Sequence, residues 1–290
     1  MDKFQSLLSD IGDVKQSVID TALRYFSSRI LLAKTKEQAS EIYHDAEMIP
    51  QTTTRVTLRE NKGIILDGPL NTGVDAQSRI HLALKNGKPM AVKVSDKKSI
   101  EVEMGIWRKI QDAPFDCNLV GPMEEIMVKE DIDGERFSAP RSAIIMPLYV
   151  CSLSCFPFPL EGNFLLACGR SIENAIGYLH TQNIVHCDIK PSNIFLNHEG
   201  VCFLGDYDAA SEIGSTFEKA TLTHLPEDHL DFVATTKVDF SLLAVSLLEM
   251  AGILPNPPMR PLRSLKSLRC EAQKVKHGEL QDFILYLLSK

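Results

Sequence analysis

The sequence of 290 residues has no uninterrupted apolar run long enough to cross a bilayer, which removes membrane insertion from the expected roles. Basic charge is also short. Lys and Arg number 31 against 38 Asp and Glu, a formal net charge of -7, so the chain as a whole lacks the footprint of a nucleic-acid binder. Seven cysteines are an odd number and form no CxxC pair, which argues against a disulfide framework or a zinc site and for reduced thiols. The opening MDKFQSLLSDIGD sets acids among its apolar residues and lacks the charged-then-apolar order of a secretory signal, so a cytoplasmic or nuclear location is expected. Internal repeats and low-complexity tracts are missing too. What remains, 44% hydrophobic and 24% charged, is material for one large domain or two lobes.

Along the chain, Phe4, Leu7, Leu8, Ile11, Val18, Ala22, Phe26 and Ile30 recur at three and four, which predicts one or two amphipathic helices within 4–48. Pro50 and the run Thr52, Thr53, Thr54 break that pattern and mark a boundary. Strand signals follow. The extended runs 79–84 and 89–94 flank Asn86-Gly87, a strong hairpin turn signal. A helix over 98–110 comes next, then apolar runs at 125–128 and 143–146 around a polar, loop-like stretch. From Phe164 onward the pattern reads as mostly helical. A strand-rich piece followed by a helix-rich piece predicts two lobes with a cleft between them.

Phosphoryl transfer from a nucleotide needs cations for the phosphates, oxygen ligands for magnesium and a carboxylate to orient the attacking hydroxyl. In HCDIKPSN, at 186 to 193, Asp188, Lys190 and Asn193 sit within one short loop before the apolar run Ile194, Phe195, Leu196. After a second strand-like run comes Asp206 in FLGDYDAA. Upstream, Ala91, Val92 and Lys93 read as a strand carrying a lysine. In this order the motifs resemble those of the eukaryotic-type protein kinases, of Ser/Thr kinase-like and divergent type.

Carried over by position, the resemblance implies that Lys93 holds the α and β phosphates and that Glu103 pairs with it. Trp107 and Ile110 follow Glu103 at four and seven on one helical stripe, and Glu101 is the alternative. Asp188 is implied as catalytic base, Lys190 as the γ-phosphate contact, and Asn193 and Asp206 as Mg²⁺ ligands. Gly73, Ile80, Ala91 and Phe195 line the ATP site by the same correspondence. Met146 matches the gatekeeper, and Pro147 and Tyr149 the hinge, where Pro147 offers only its carbonyl. Leu225, Pro226 and Glu227 resemble the motif that ends an activation segment, and Asp239 resembles the buried aspartate that braces the catalytic loop. His186, Trp107 and Tyr207 read as packing residues, while Thr221 and Thr223 are either autophosphorylation sites or shapers of the substrate pocket.

The sequence also departs from the family. The three glycine positions of the phosphate loop read Gly73, Asp75 and Ser78, which predicts weaker nucleotide binding through sterics and like charge. Asp208 stands where a glycine is usual. Cys187 replaces the arginine that receives an activation-loop phosphate in many relatives, so constitutive activity is the simpler expectation. Glu227 has no obvious arginine partner, and Arg260, Arg263, Lys266 and Arg269 read as a solvated helix face or an acidic-ligand site.

The expected fold is α+β, a two-lobed protein-kinase-like fold with a strand-rich N-lobe at 51–146 and a helical C-lobe at 150–290. N-terminal helices at 1–50 precede it as a docking or dimerisation element or as packing on the domain itself. The implied activity is transfer of the γ-phosphate of Mg-ATP to Ser/Thr hydroxyls of a protein substrate, with no nucleic acid as partner. Its rivals are a pseudokinase scaffold and a small-molecule phosphotransferase of the aminoglycoside-kinase type.

Overall fold

The computed structural model describes residues 64–69, 79–85, 88–128, 141–197, 199–255 and 263–290. The expected N-terminal helices, the boundary at Pro50, Gly73, Asp75, Ser78 and Arg260 lie outside them. The described residues form two units, 64–107 with 121–148 and 108–120 with 149–290.

The smaller unit is built on a five-stranded antiparallel sheet. Its strands are β1 (Ile64–Pro69), β2 (Arg79–Lys85), β3 (Lys88–Asp96), β4 (Glu124–Val128) and β5 (Arg141–Pro147), in the spatial order β1-β2-β3-β5-β4. Lys85 opposes Lys88 in an antiparallel register, and the turn expected at Asn86-Gly87 lies outside the described residues. The 2.0 residue period splits β3 between two faces. Val92 and Val94 join Ile64, Ala83, Ala143 and Ile145 in the apolar core, with Met90 against its edge. Ala91 and Lys93 point to the other face. Across that face Lys93 lies opposite Ile80 on one side and Ile144 on the other, while Ala91 lies opposite Leu82 and Met146. Strand register therefore gathers Ile80, Ala91, Lys93 and Met146 on one side of the sheet.

Helix α1 (Lys97–Ile110) follows β3 directly. Asp96 caps it, accepting from Ser99 N at 2.9 Å and from the Ser99 hydroxyl at 2.6 Å. Ile100, Met104, Trp107 and Ile110 form its buried stripe, and Glu103 lies on the same side.

The larger unit opens with β6 (Cys151–Ser152) and helix α2 (Gly162–Thr181), whose N-cap Glu161 accepts from Phe164 N. Leu165, Cys168, Gly169, Ile172, Ala175, Ile176 and Leu179 are buried at helical spacing. Short strands follow: β7 (Ile184–Val185), β8 (Ile194–Leu196), β9 (Cys202–Leu204) and β10 (Ser211–Glu212). They pair as β6-β8-β9 and β10-β7. Three helices complete the unit, α3 (Thr236–Met250), α4 (Leu265–Ala272) and α5 (Gly278–Leu287). Helix α3 is buried along nearly its whole length, as its apolar run SLLAVSLLEM requires.

Three differences from the sequence reading stand out. Strand β1 was not expected. Between α2 and α3 the strand-like runs read at 194–196 and before Asp206 form β8 and β9, but β7 and β10 were not expected, because strands of two residues carry too little periodicity to register. Residues 108–120 group with the larger unit, where Val120 N donates to Leu204 O and Leu204 N to Asn118 O, each at 2.8 Å.

Gly169 sets how closely α2 and α5 pack. A Cβ there would stand 2.5 Å from Phe283 Cε1 and 3.2 Å from Leu247 Cδ1. Phe283 is itself buried under the Arg170 guanidinium, 4.2 Å from its ring centre. Alanine gains about 1 kcal/mol in helix propensity, but overpacking costs about 1–3 kcal/mol. Gly169→Ala is expected to lower the urea midpoint, with a net loss of about 1 kcal/mol; an unchanged or raised midpoint would show that Phe283 swings clear.

Candidate functional site

The most constrained part of the chain is the loop between β7 and β8, and the constraint comes from α3. Asp239, fully buried on α3, accepts from His186 N through Oδ2 and from Cys187 N through Oδ1, each at 2.9 Å. Its Oδ2 also lies 2.9 Å from His180 Nε2. Cys187 holds φ at 64°, a left-handed conformation that costs an L-residue about 1–2 kcal/mol. The bond to Asp239 offsets that cost and fixes the turn that delivers Asp188.

Asp188 is surrounded by donors. Thr221 N donates to Oδ1 at 2.9 Å, and Lys190 Nζ donates to Oδ2 at 2.6 Å and to Thr221 Oγ1 at 2.7 Å. Asn193 Nδ2 donates to the Asp188 carbonyl at 2.9 Å and to Oδ2 at 3.2 Å. Burial alone would raise the Asp188 pKa, but the Lys190 ammonium and the bonds from Lys190 and Thr221 outweigh it and hold the carboxyl below its ordinary range. Asp188 is therefore an anion at neutral pH, with its orientation set from three directions.

The strand pair β8–β9 carries the next acid. Gly205 N donates to the Asn193 carbonyl at 3.1 Å, which places Asp206 beside Asn193. Asp206 is half-buried, with φ 67° and ψ 74°, at the start of the 3₁₀ turn Tyr207–Ala209. His186 joins the two loops: its Nδ1 accepts from Asp188 N at 3.4 Å, so its Nε2 is the donor to the Gly205 carbonyl at 3.1 Å. Tyr207 packs edge-on against His186 and sends its hydroxyl to the Val120 and Leu204 carbonyls, each at 3.0 Å. Both rings position the loops.

In the smaller unit Lys93 Nζ donates to Glu103 Oε2 at 2.8 Å, with both side chains buried. Glu101 is exposed and pairs with Lys97 at 3.4 Å. Ile80, Ala91 and Met146 share the Lys93 face of the sheet, and Pro147 ends β5. In the larger unit Tyr149 rests against the rings of Phe195 and Phe203, at 5.9 and 5.3 Å between centroids.

The departures from the family pattern also find partners. Asp208 pairs with Lys219 at 2.9 Å. The Cys187 thiol donates to the Val185 carbonyl at 3.6 Å, and burial with the Asp239 and Asp188 charges pushes its pKa up, so it stays a neutral thiol. Arg269 donates to Leu288 O at 2.6 Å and thereby caps the end of α5. Glu227 is exposed. The end of the segment is instead tied down by His224, whose Nε2 lies 2.7 Å from Glu249 Oε2 on α3, with both side chains buried. The sequence reading missed this pair, since 25 residues separate its members and no motif links them. It also left the role of Thr221 open; the structure bonds its hydroxyl to Lys190 and its amide to Asp188.

Asn193 Oδ1 and the Asp206 carboxylate are hard oxygen donors of the kind magnesium takes. Among the described residues no three His, Cys, Asp or Glu side chains could hold a metal by themselves. A set of one amide and one carboxylate suits an ion that keeps phosphate oxygens in its shell, so the residues fit a magnesium-nucleotide.

The arrangement is similar to that of protein kinases. Residues 162–255 match the protein kinase domain family. A serine/threonine-protein kinase US3 homolog of Varicella-zoster virus is 40% identical over 73 residues, covering 24% of this chain and 18% of that protein. The serine/threonine-protein kinase pakE of Dictyostelium discoideum is 31% identical over 104 residues, 34% of this chain and 11% of that one. A Wee1-like protein kinase of Arabidopsis thaliana is 28% identical over 147 residues, covering 47% of this chain and 27% of that protein. The matches thus span a small part of those relatives. Among solved structures, the Cydia pomonella Granulovirus kinase PK-1 superposes with a TM-score of 0.60 over 81% of this chain and 90% of that one. At 19% identity that likeness is one of fold. Over part of its length the chain is thus similar to eukaryotic-type protein kinases, Ser/Thr kinases among them, and its fold is the α+β fold of a protein kinase. No helix among the described residues is long and apolar enough to cross a membrane.

The brace on the loop makes a sharp prediction. Removing the carboxylate strands two buried amides, so Asp239→Ala is expected to cost about 3–5 kcal/mol and Asp239→Asn, which keeps one acceptor, about 1–3 kcal/mol. Urea unfolding followed by tryptophan fluorescence and far-UV circular dichroism measures both, and equal losses for the two variants would contradict the role assigned to the second oxygen.

Proposed function

We propose that the chain is an ATP-dependent protein kinase that moves the γ-phosphate of Mg-ATP to Ser or Thr hydroxyls of a protein substrate. The observation that carries the reading is the Lys190 ammonium bonded at once to the Asp188 carboxylate and to the Thr221 hydroxyl. A base, a cation and a segment able to seat a peptide hydroxyl are thereby held in one place. Mg-ATP, when bound, supplies the transferable phosphoryl group and the charge that this chain must neutralise.

The residues of the chain divide the work. Asp188, an anion with both oxygens fixed, accepts the hydroxyl proton and orients the hydroxyl. Lys190 would meet the γ-phosphate, and its bond to Thr221 limits where that ammonium can go. Asn193 Oδ1 and Asp206 serve as magnesium ligands. In the smaller unit Lys93, oriented by Glu103, binds the α and β phosphates, and Ile80, Ala91 and Met146 offer an apolar face to the adenine. Pro147 and Tyr149 provide the hinge, and Phe195 the adenine contact of the larger unit. Cys187 and the Asp208–Lys219 pair favour a segment set without phosphorylation, in keeping with constitutive activity.

The test separates binding from chemistry. Asp188→Asn is expected to cut phosphate transfer by at least about a hundredfold while leaving Mg²⁺-dependent nucleotide binding intact. Asp206→Asn should lose transfer together with most of the magnesium-dependent part of binding. Calorimetric titrations with and without Mg²⁺, beside transfer assays and circular dichroism, measure all of these. Near-wild-type transfer in either variant would overturn the mechanism, and nucleotide binding without transfer in the unmutated chain would favour the pseudokinase reading.

A further inference from the structure

Thr221 touches the loop that carries Asp188, and each of its polar groups is engaged. Its amide donates to Asp188 Oδ1 at 2.9 Å, and its hydroxyl accepts from Lys190 Nζ at 2.7 Å. Its carbonyl accepts from His224 N at 2.8 Å and, at longer range, from Leu225 N at 3.3 Å. The last two bonds close a tight turn over 221–225. Where Thr221 sits therefore depends on where His224 sits.

Two side-chain contacts hold this turn from outside. Lys219, two residues before Thr221, pairs with Asp208 at 2.9 Å, but its side chain is 43% exposed and water screens the pair. The His224 side chain is 6% exposed, and its Nε2 donates to Glu249 Oε2 at 2.7 Å. Its Nδ1 lies 3.3 Å from the Thr223 hydroxyl. Burial keeps competing water from the Glu249 bond, so of the two contacts it is the one able to fix a position. Glu249 lies in the last turn of α3, and Asp239, which accepts from His186 N and Cys187 N, lies in the first. One buried helix thus reaches Asp188 by two routes, through the loop amides and through His224 and Thr221.

We infer that His224 is a positioning residue for the acceptor side of the reaction: held by Glu249, it sets the turn that keeps Thr221 on Asp188 and Lys190. Acting through Thr221, it governs the step that uses Asp188 and the seating of the protein hydroxyl, and leaves nucleotide binding alone. The kinetic half of this inference rests on the transfer reading. The link from Glu249 to Thr221 stands without it.

Variants of the intact chain separate positioning from stability. His224→Leu alone buries the Glu249 carboxyl without this donor and is expected to lower the urea midpoint. His224→Leu combined with Glu249→Met replaces both partners by apolar side chains of similar volume, which should keep the midpoint near its original value. His224→Gln retains an N–H at nearly the reach of Nε2. In the double variant kcat with a protein acceptor should fall on the order of tenfold, with the calorimetric Kd for Mg-ATP within about twofold of the original, and His224→Gln should recover most of the rate. Deuterium exchange needs no catalysis: the Thr221 and His224 amides should be protected in the unmutated chain and exchange on the order of tenfold faster in the double variant. An unmutated chain that moves no phosphate would overturn the transfer reading, and the exchange rates would still decide the link. Rapid exchange at both amides in the unmutated chain would sink the inference with no variant needed. Unchanged exchange in the double variant, or a rate loss that only tracks a lowered urea midpoint, would contradict it as well.

Discussion

The loop between β7 and β8 depends on one buried carboxylate. Asp239 has no solvent to hydrate it, so its charge is tolerable only with donors around it, and the donors nearest to hand are the main-chain amides of His186 and Cys187. The need is mutual. The left-handed turn at Cys187 leaves its amide pointing into the core, where Asp239 is its acceptor. Helix α3 can hold the carboxylate still because it is buried along nearly its whole length, and position is thus passed from a packed helix to a strained turn and on to Asp188. The Thr221 segment closes the arrangement from the other side, and His224 on Glu249 anchors the end of that segment to the same helix.

Much of this was legible because the residues involved sit close together in sequence. Asp188, Lys190 and Asn193 fall within six positions, and a loop that short must bring them together. Lys93 and its sheet neighbours were readable for a different reason: alternation fixes which residues share a face, so Ala91 and Lys93 declare themselves, and register then adds Ile80 and Met146. The choice of Glu103 over Glu101 rested on the spacing to Trp107 and Ile110, and the structure pairs Glu103 with Lys93 while Glu101 turns outward to Lys97.

What the sequence did not disclose are pairings set by tertiary packing alone. His224 and Glu249 belong to no local pattern, and Glu249 inside an apolar helix is equally consistent with several partners. Asp208, read as an unexplained carboxylate beside a metal ligand, pairs with Lys219, eleven residues on along an irregular segment. Strands β7 and β10 escaped notice for a related reason, since they pair with each other across a long stretch of chain and are too short to show a period of their own. Of the C-terminal basic residues, Lys266 and Arg269 are exposed on α4, in keeping with a solvated face, and the contact that spacing could not show is the one from Arg269 to the carbonyl of Leu288.

The relation to the protein kinases rests on fold, on the match over 162–255 and on partial relatives, so the central claim is the chemistry assigned to Asp188. The most direct measurement is a transfer experiment with the unmutated chain. Purified protein is incubated with γ-labelled ATP, Mg²⁺, a generic protein substrate and a panel of small hydroxyl compounds, and the labelled product is identified by phosphoamino-acid analysis and mass spectrometry. The account predicts phosphoserine or phosphothreonine in the protein substrate and no label in the small molecules. Label confined to a small hydroxyl compound, or nucleotide bound with no phosphate moved, would contradict it.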